Sequence, residues 1–155
     1  MPRSVSPERQ LEYDALKRFF VHWETHLTPC RVFELNHPHN PINVLDAFER
    51  NVGISQALPG LKQAVNDALE CCEEFTPDQI ARADASLAEV GAPTLTQLWR
   101  LRSRQYQAIL RRGHLRNDTE FYLTTSILSD TATPLTAQEH ETLSTMVASY
   151  ESRRA

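Results

Sequence analysis

The sequence is poor in glycine and cysteine, and it contains no long hydrophobic run. Four glycines among 155 residues leave little material for loops that bind phosphate or an oxyanion through bare backbone. The Walker A, H-E-x-x-H and G-x-S-x-G patterns are all missing, and no stretch approaches the roughly 18 apolar residues of a membrane span. These absences disfavour nucleotide hydrolysis, zinc-protease and α/β-hydrolase chemistry. They favour a non-enzymatic role without cofactor or membrane.

Cysteine is scarce and poorly placed for structural disulfides. The three cysteines are Cys30, Cys71 and Cys72, which show no C-x-x-C spacing, and the adjacent pair cannot close an ordinary bridge. The N-terminus meets charge and proline before it could build the apolar region of a signal peptide. Cysteine usage therefore predicts a reducing, cytoplasmic location.

The residues that are present make up an ordinary globular composition with a mild acidic balance. Lys and Arg number 16 against 20 Asp and Glu, the formal net charge is −4, and 41% of the residues are hydrophobic. A chain of this length can bury roughly 70% of its unfolded surface, so it needs neither a disulfide nor a structural metal for stability. We expect one domain over residues 1–155.

Apolar residues recur at helical spacing between proline and glycine punctuation. This pattern predicts an all-α, compact bundle of about seven short helices. The first helix should begin at Pro7 and run to about Leu27, and the second should run from Pro41 to about Asn51. Both begin with proline at the first helical position, where its missing N–H costs nothing.

Two features interrupt the helical pattern. Pro59 should split the third helix into a lead-in turn and a main helix over residues 60–74. Residues 29–41 form the one long irregular segment. A short extended piece within that segment would be formed by Val32, Phe33 and Leu35.

Four capping boxes mark the later helix starts. In each box a small polar residue accepts from the third helical N–H, while a Glu or Gln reaches back to the N–H of the cap. The pairs are Thr76 with Gln79, Thr94 with Gln97, Asn117 with Glu120, and Thr136 with Glu139. The corresponding helices should end near Gly91, Gly113, Asp130 and the C-terminus.

Four histidines are candidates for a metal site. His22 and His26 are spaced i, i+4 on the first helix, which can present two imidazoles to one ion. His37 and His39 follow within reach. The same residues also suit hydrogen-bonded positions at the edge of the core. We expect no bound metal and keep a metal-dependent site as the alternative.

Basic charge is concentrated in one segment. Residues 93–117 carry six arginines and no acidic residue, so the rest of the chain has a net charge of −10. Arg100, Arg104 and Arg111 fall on one side of the predicted fifth helix, and we call them the basic stripe. This stripe suits a nucleic-acid backbone or an acidic protein surface. It equally suits an exposed face paired with acidic neighbouring helices.

The segment LAEVGAPTLTQLWRL resembles the turn and flanking helices of a helix-turn-helix motif. The resemblance covers about twenty residues, counting the helices on either side. It departs from the usual pattern at Leu87, Pro93 and Gln97. The resemblance implies a nucleic-acid-binding regulator that uses the arginine-rich fifth helix.

Arg102 lies inside the apolar arc of the predicted fifth helix, between Trp99 and Tyr106. An unpaired buried guanidinium is costly, so this side chain must stack, extend to solvent or meet a carboxylate. Two interpretations stay open. One is a buried ion pair that fixes helix packing, and the other is a pocket arginine that awaits an anionic ligand.

Four carboxylates gather around the end of the third helix and the start of the fourth. This acidic cluster comprises Glu70, Glu73, Glu74 and Asp78. The first three lie near a helix C-terminus, where the macrodipole disfavours negative charge. Charge held at an unfavourable place suggests contact with a basic partner.

The sequence therefore predicts a small cytoplasmic protein-interaction module that binds and neutralises or regulates one protein partner. An immunity protein or antitoxin that occludes a basic toxin domain would be such a module. The acidic cluster and the basic stripe are its candidate partner-binding residues. The alternatives are a nucleic-acid-binding regulator that uses the fifth helix and a metal-dependent helical enzyme built on His22 and His26.

Overall fold

The computed structural model describes residues 5–130 and 135–154. Within these ranges it contains eight α-helices and no β-strand. The helices are α1 (Pro7–His22), α2 (Pro41–Val52), α3 (Ile54–Cys71), α4 (Pro77–Glu89), α5 (Leu95–Arg102), α6 (Arg104–Arg112), α7 (Asp118–Ser129) and α8 (Ala137–Arg154). A π-helical turn, Trp23–Leu27, extends α1, and a 3-10 turn, Cys72–Glu74, follows α3. The all-α prediction is confirmed.

Helix starts follow local capping chemistry. The side chains of Ser6 and Asn40 cap α1 and α2, and each is followed by proline at the first helical position. Thr76 and Thr94 form complete capping boxes at α4 and α5. Gly53 ends α2 and begins α3 with a φ of 85°, a conformation that favours glycine. The predicted starts of α1, α2, α4 and α5 are therefore confirmed.

The core is built around α1 and α3, which pack along each other. Tyr13 and Phe19 of α1, with Leu61 and Val65 of α3, are at most 1% exposed. The helices α4, α5 and α7 contact one another, and α8 packs on α7. Their buried contributions include Ile80, Leu95, Ile127, Leu143 and Met146. Burial of these apolar side chains is the main driving force for the fold.

The predicted fifth helix is two helices, because the chain breaks at Ser103. This residue has the extended angles φ −77° and ψ 128°, and its hydroxyl accepts from the backbone N–H of Gln105 at 3.1 Å. The indole of Trp99 donates to the side-chain carbonyl of Gln105 at 3.3 Å, across the break. The prediction of one continuous helix is wrong, since a serine cap without Gly or Pro leaves only a weak signal.

Two other local predictions are also wrong. Pro59 lies inside an uninterrupted α3 and does not divide it. Its missing N–H leaves one carbonyl, that of Ser55, without its helical donor. The expected extended piece at residues 32–35 is replaced by bends and turns.

None of the described helices is long and apolar enough to cross a bilayer.

Candidate functional site

The first histidine pair makes a contact between two helices. His22 Nε2 lies 2.6 Å from Ser86 Oγ on α4, and its ring centroid is 4.9 Å from that of His26. Burial, followed by the charge of His26, lowers the pKa of His22. In the part of the chain that the structure describes, no three potential metal ligands converge. The pair thus has a structural explanation in its bond to Ser86.

The second histidine pair surrounds an aromatic ring of the irregular segment. The centroids of His37 and His39 lie 4.7 Å and 5.7 Å from that of Phe33. Nδ1 of His37 accepts the backbone N–H of His39 at 3.0 Å. These contacts order the segment, and none of them involves His22 or His26.

The basic stripe is divided between the interior and the surface. Arg100 Nε lies 3.2 Å from Glu139 Oε1, and the arginine side chain is only 13% exposed. The hydroxyl of Tyr106 donates to the same carboxylate oxygen at 2.5 Å. Arg104 and Arg111 are exposed on α6. Only two of the three arginines are thus well placed to meet a partner.

The helix that the resemblance to a helix-turn-helix would place in a DNA groove is mostly buried. Within α5, which the structure describes in full, Leu101 is the one well-exposed residue, at 66%. A recognition helix needs exposed polar side chains that reach base edges. This burial weighs against α5 as a nucleic-acid reader.

Glu120 is a buried carboxylate at the centre of a group of ion pairs. The sequence pattern assigns it to a helix cap. The Glu120 side chain is 3% exposed, and its oxygens lie 2.7 Å from Arg112 Nη2 and 3.2 Å from Arg116 Nε. Asn117 still accepts the N–H of Glu120 at 2.8 Å, so only half of the predicted capping box forms. Sequence reasoning missed this ion pair, although the arginines that precede Glu120 were an available signal.

Other cations also form ion pairs with carboxylates of the same chain. Lys17 Nζ contacts Glu49 Oε2 at 2.6 Å and Asp46 Oδ1 at 2.8 Å. The bond from Lys17, supported by the hydroxyl of Tyr13, lowers the pKa of Glu49 despite its partial burial. Further pairs join Lys62 to Glu12 and Arg154 to Asp118. These bonds pair Lys17, Lys62 and Arg154 with carboxylates of the same chain.

The carboxylates of the acidic cluster lie outside these ion pairs. Glu70 lies in the last turn of α3, Glu73 and Glu74 lie in the following 3-10 turn, and Asp78 lies in the first turn of α4. All four are exposed, and among the described residues none of them forms an ion pair. Burial, then the neighbouring charges of Glu70 and Glu74, raise the pKa of Glu73. The cluster is thus an exposed surface of negative charge.

Arg102 borders a polar cleft between α3 and the junction of α5 with α6. The arginine side chain is 21% exposed, and Nη1 is 3.9 Å from the nearest carboxylate oxygen, Oε1 of Glu12. Its Nε is buried and has no hydrogen-bond partner, and the same holds for Oδ1 of Asn66, which lines the same cleft. Both sequence interpretations of Arg102 therefore keep support, because its one ion pair is long and part of its donor set is unused.

The two walls of the cleft carry opposite chemistry. Asn66, Glu70 and Glu73 face it from the α3 side, which we call the acceptor wall. Arg102 and Arg104 face it from the α5–α6 side, which we call the donor wall. The cleft has a volume of about 210 Å³. No ion pair between described residues joins the two walls.

Exposed apolar side chains occur on the irregular segment and on α2, which directly follows it in the chain. These side chains, which we call the apolar surface, are Val32, Phe33, Leu35, Val44 and Phe48, each between 36% and 83% exposed. Val44 and Phe48 are spaced i, i+4 and share one side of α2. Sequence reasoning missed this surface, since periodicity alone does not show which apolar residues stay uncovered.

Side chains at the start of α2 hold the segment in place. Asn40 is fully buried; its Nδ2 donates to the carbonyl of Phe33 at 3.1 Å, and its Oδ1 accepts from the N–H of Ile42 at 3.0 Å. Nδ2 of Asn43 donates to the carbonyls of Leu35 and His37, both at 2.8 Å. The apolar surface is therefore a fixed feature of the fold.

Comparison of this chain with protein-family models, with curated proteins and with solved structures finds no match.

Proposed function

We propose that this chain is a cytoplasmic protein-interaction module that binds one protein partner and neutralises or regulates it. The observation that carries the proposal is the apolar surface. Exposed apolar side chains cost hydration free energy, and contiguous patches of them mark interaction sites. Here the fold commits the buried Asn40 and the bonds of Asn43 to holding such side chains in solvent. A partner that covers them would recover that free energy.

The charge distribution supports a partner with a basic region. The four exposed carboxylates of the acidic cluster form no ion pair among the described residues, so their charge is available to a partner. Long-range attraction speeds association, while a covered apolar surface supplies most of the affinity. An immunity protein or antitoxin that occludes a basic toxin would use both features. The three free cysteines support a reducing compartment.

A crosslinking experiment tests the proposal. A photoreactive residue at Val44, compared with one at the exposed Ala148 of α8, would identify the protein that touches the apolar surface in the producing cell. We expect a single partner from Val44 and none from Ala148. The affinity of the purified pair is then measured by calorimetry with Phe48→Ser, and with Leu101→Ser as the matched exposed control.

Loss of an interface anchor should weaken binding about tenfold or more. We expect this for Phe48→Ser and not for Leu101→Ser. Equal affinities for wild type and Phe48→Ser would overturn the proposal. So would a crosslink from Val44 to a second copy of this chain, with a dimer in sedimentation equilibrium that Phe48→Ser dissolves.

A further inference from the structure

We infer that the cleft beside Arg102 binds a small zwitterion of the α-amino acid class, with its carboxylate on the donor wall and its ammonium on the acceptor wall. This site shares Glu70 and Glu73 with the acidic cluster, but it shares no residue with the apolar surface that carries the function proposed above. The inference rests on three observations: two unsatisfied buried polar atoms, walls of opposite charge, and the size of the cleft.

The unsatisfied atoms define what the molecule must offer. Nε of Arg102 is a buried donor without an acceptor, and Oδ1 of Asn66 is a buried acceptor without a donor. Buried polar groups in folded proteins are nearly always hydrogen-bonded, so each such exception needs an explanation. A molecule that satisfies both must carry an acceptor at one end and a donor at the other.

The charges strengthen both requirements. Asn66, Glu70 and Glu73 are spaced i, i+4, i+7, so their acceptor atoms project from the same side of α3 and its following turn. Arg102 and Arg104 supply only donors from the other wall. An anion alone would meet the repulsion of two carboxylates, and a cation alone would meet two guanidiniums. A dipolar molecule avoids both penalties and gains charge-assisted hydrogen bonds at each end.

The size of the cleft limits the molecule. Its volume of about 210 Å³ is far above the roughly 10 to 15 Å³ that a single water requires. It is below the roughly 300 Å³ at which pockets for drug-sized molecules begin. A free amino acid falls between these limits.

Nuclear magnetic resonance offers a direct test, because the side-chain amide of Asn66 and the Nε–H of Arg102 report on the two walls. The probes are a panel of free α-amino acids beginning with glycine, and the two halves of glycine, acetate and methylammonium. We expect saturable shifts of both signals with at least one amino acid. Each half should bind about tenfold or more weakly, because each forgoes one charged hydrogen-bond set.

Variants show whether the cleft is responsible. Arg102→Met removes the donor and keeps the volume, and Glu73→Gln alters an exposed residue that is safe for folding. Both should weaken amino acid binding about tenfold. Arg82→Met, an exposed change on α4, is the matched control and should leave binding unchanged.

Three outcomes would overturn the inference: no saturable shift with any amino acid, equal binding of acetate and glycine, or binding that survives Arg102→Met. Glu74→Lys separates this site from the partner surface, because Glu74 does not line the cleft. That variant should leave amino acid binding intact even where it slows association with a protein.

Discussion

Arg102 and Arg112 lie on consecutive helices, and both side chains are 21% exposed, yet their surroundings differ sharply. Nη2 of Arg112 bonds both oxygens of Glu120 at 2.7 and 3.2 Å, and its Nε donates to the carbonyl of His114 at 3.0 Å. The nearest carboxylate oxygen to Arg102 is 3.9 Å away, and its Nε is unsatisfied. Two arginines that are equally buried can therefore differ in how many of their donors are hydrogen-bonded.

The difference separates two uses of arginine in one chain. Around Glu120 the guanidinium groups complete a closed set of bonds, which fixes α6 against α7. Around Arg102 part of the guanidinium has no hydrogen-bond partner, and the side chain lines a cleft. The first arrangement should therefore matter most for stability, and the second for binding.

Removal of the Glu120 carboxylate should have the largest effect on stability. Glu120→Ala leaves Arg112 and the backbone N–H of Arg116 without their acceptor. We expect the free energy of unfolding to fall by about 3 kcal/mol, measured by urea denaturation. The exposed Glu141→Ala is the control and should change it by less than about 0.5 kcal/mol. Similar losses for the two variants would show that the Glu120 group is not a closed structural centre.

A second paired carboxylate should make stability depend on pH. Burial alone would raise the pKa of Glu139, but hydrogen bonds from Tyr106 and Arg100 hold it below its usual 4.5. Its contribution is therefore present above pH 4.5 and is lost as the pH falls through the lower folded pKa. Glu139→Gln should cost about 1 kcal/mol at neutral pH, and this cost should shrink in urea melts in acid. A cost that stays constant with pH would contradict the pairing.

At Arg102 the comparison predicts a smaller effect. Arg102→Met keeps the volume of the buried stem and removes the unsatisfied Nε, so we expect a change within about 1 kcal/mol. Arg102→Ala should lose more, because it leaves a void beside the core. Denaturant melts of both variants measure the two losses in the free energy of unfolding. Equal losses would mean that the arginine stem does not fill buried volume.

Charge reversal in the acidic cluster should affect stability least. Burial and the charges of Glu70 and Glu74 raise the pKa of Glu73, so Glu73→Lys combined with Glu74→Lys relieves repulsion and should leave stability unchanged or slightly raised. With a basic partner recovered by crosslinking, we expect slower association, more so at low salt, measured by stopped flow.

A matched pair of variants controls for net charge in that experiment. Glu8→Lys combined with Glu141→Lys makes the same change in total charge at exposed residues elsewhere. Its association rate should stay near that of wild type. A rate indifferent to reversal in the acidic cluster would remove the cluster from the interface. Arg104 and Arg111, facing an acidic partner, would then become the better candidates.

Helix starts were predictable from sequence because their chemistry is local. Ser6 and Asn40 cap the residues that follow them, and Thr76 and Thr94 close boxes within four positions. The break at Ser103 was not predictable in the same way. It depends on a serine cap and on the contact between the side chains of Trp99 and Gln105, and neither produces a strong pattern.

The candidate sites were only partly predictable. The unusual place of Arg102 followed from its apolar neighbours, but its unsatisfied Nε depends on where Glu12 lies, far away in sequence. Glu120 and Glu139 were assigned to capping boxes, since the sequence pattern is the same whether the carboxylate turns back to its own helix or reaches another. Which apolar residues remain uncovered also depends on long-range packing, so the apolar surface was missed.

The side chains predicted to cap the helices bond different partners, and this difference bears on the order in which the helices form. Gln79 and Gln97 close local boxes, so α4 and α5 begin with bonds that a short peptide can make. The carboxylate of Glu139 instead bonds Arg100, 39 residues away, so the start of α8 gains this support only after α5 has docked. In pulse-labelled hydrogen exchange we expect the first amides of α4 and α5 to be protected early and those of α8 late. We therefore expect α8 to dock last, on helices that have already assembled.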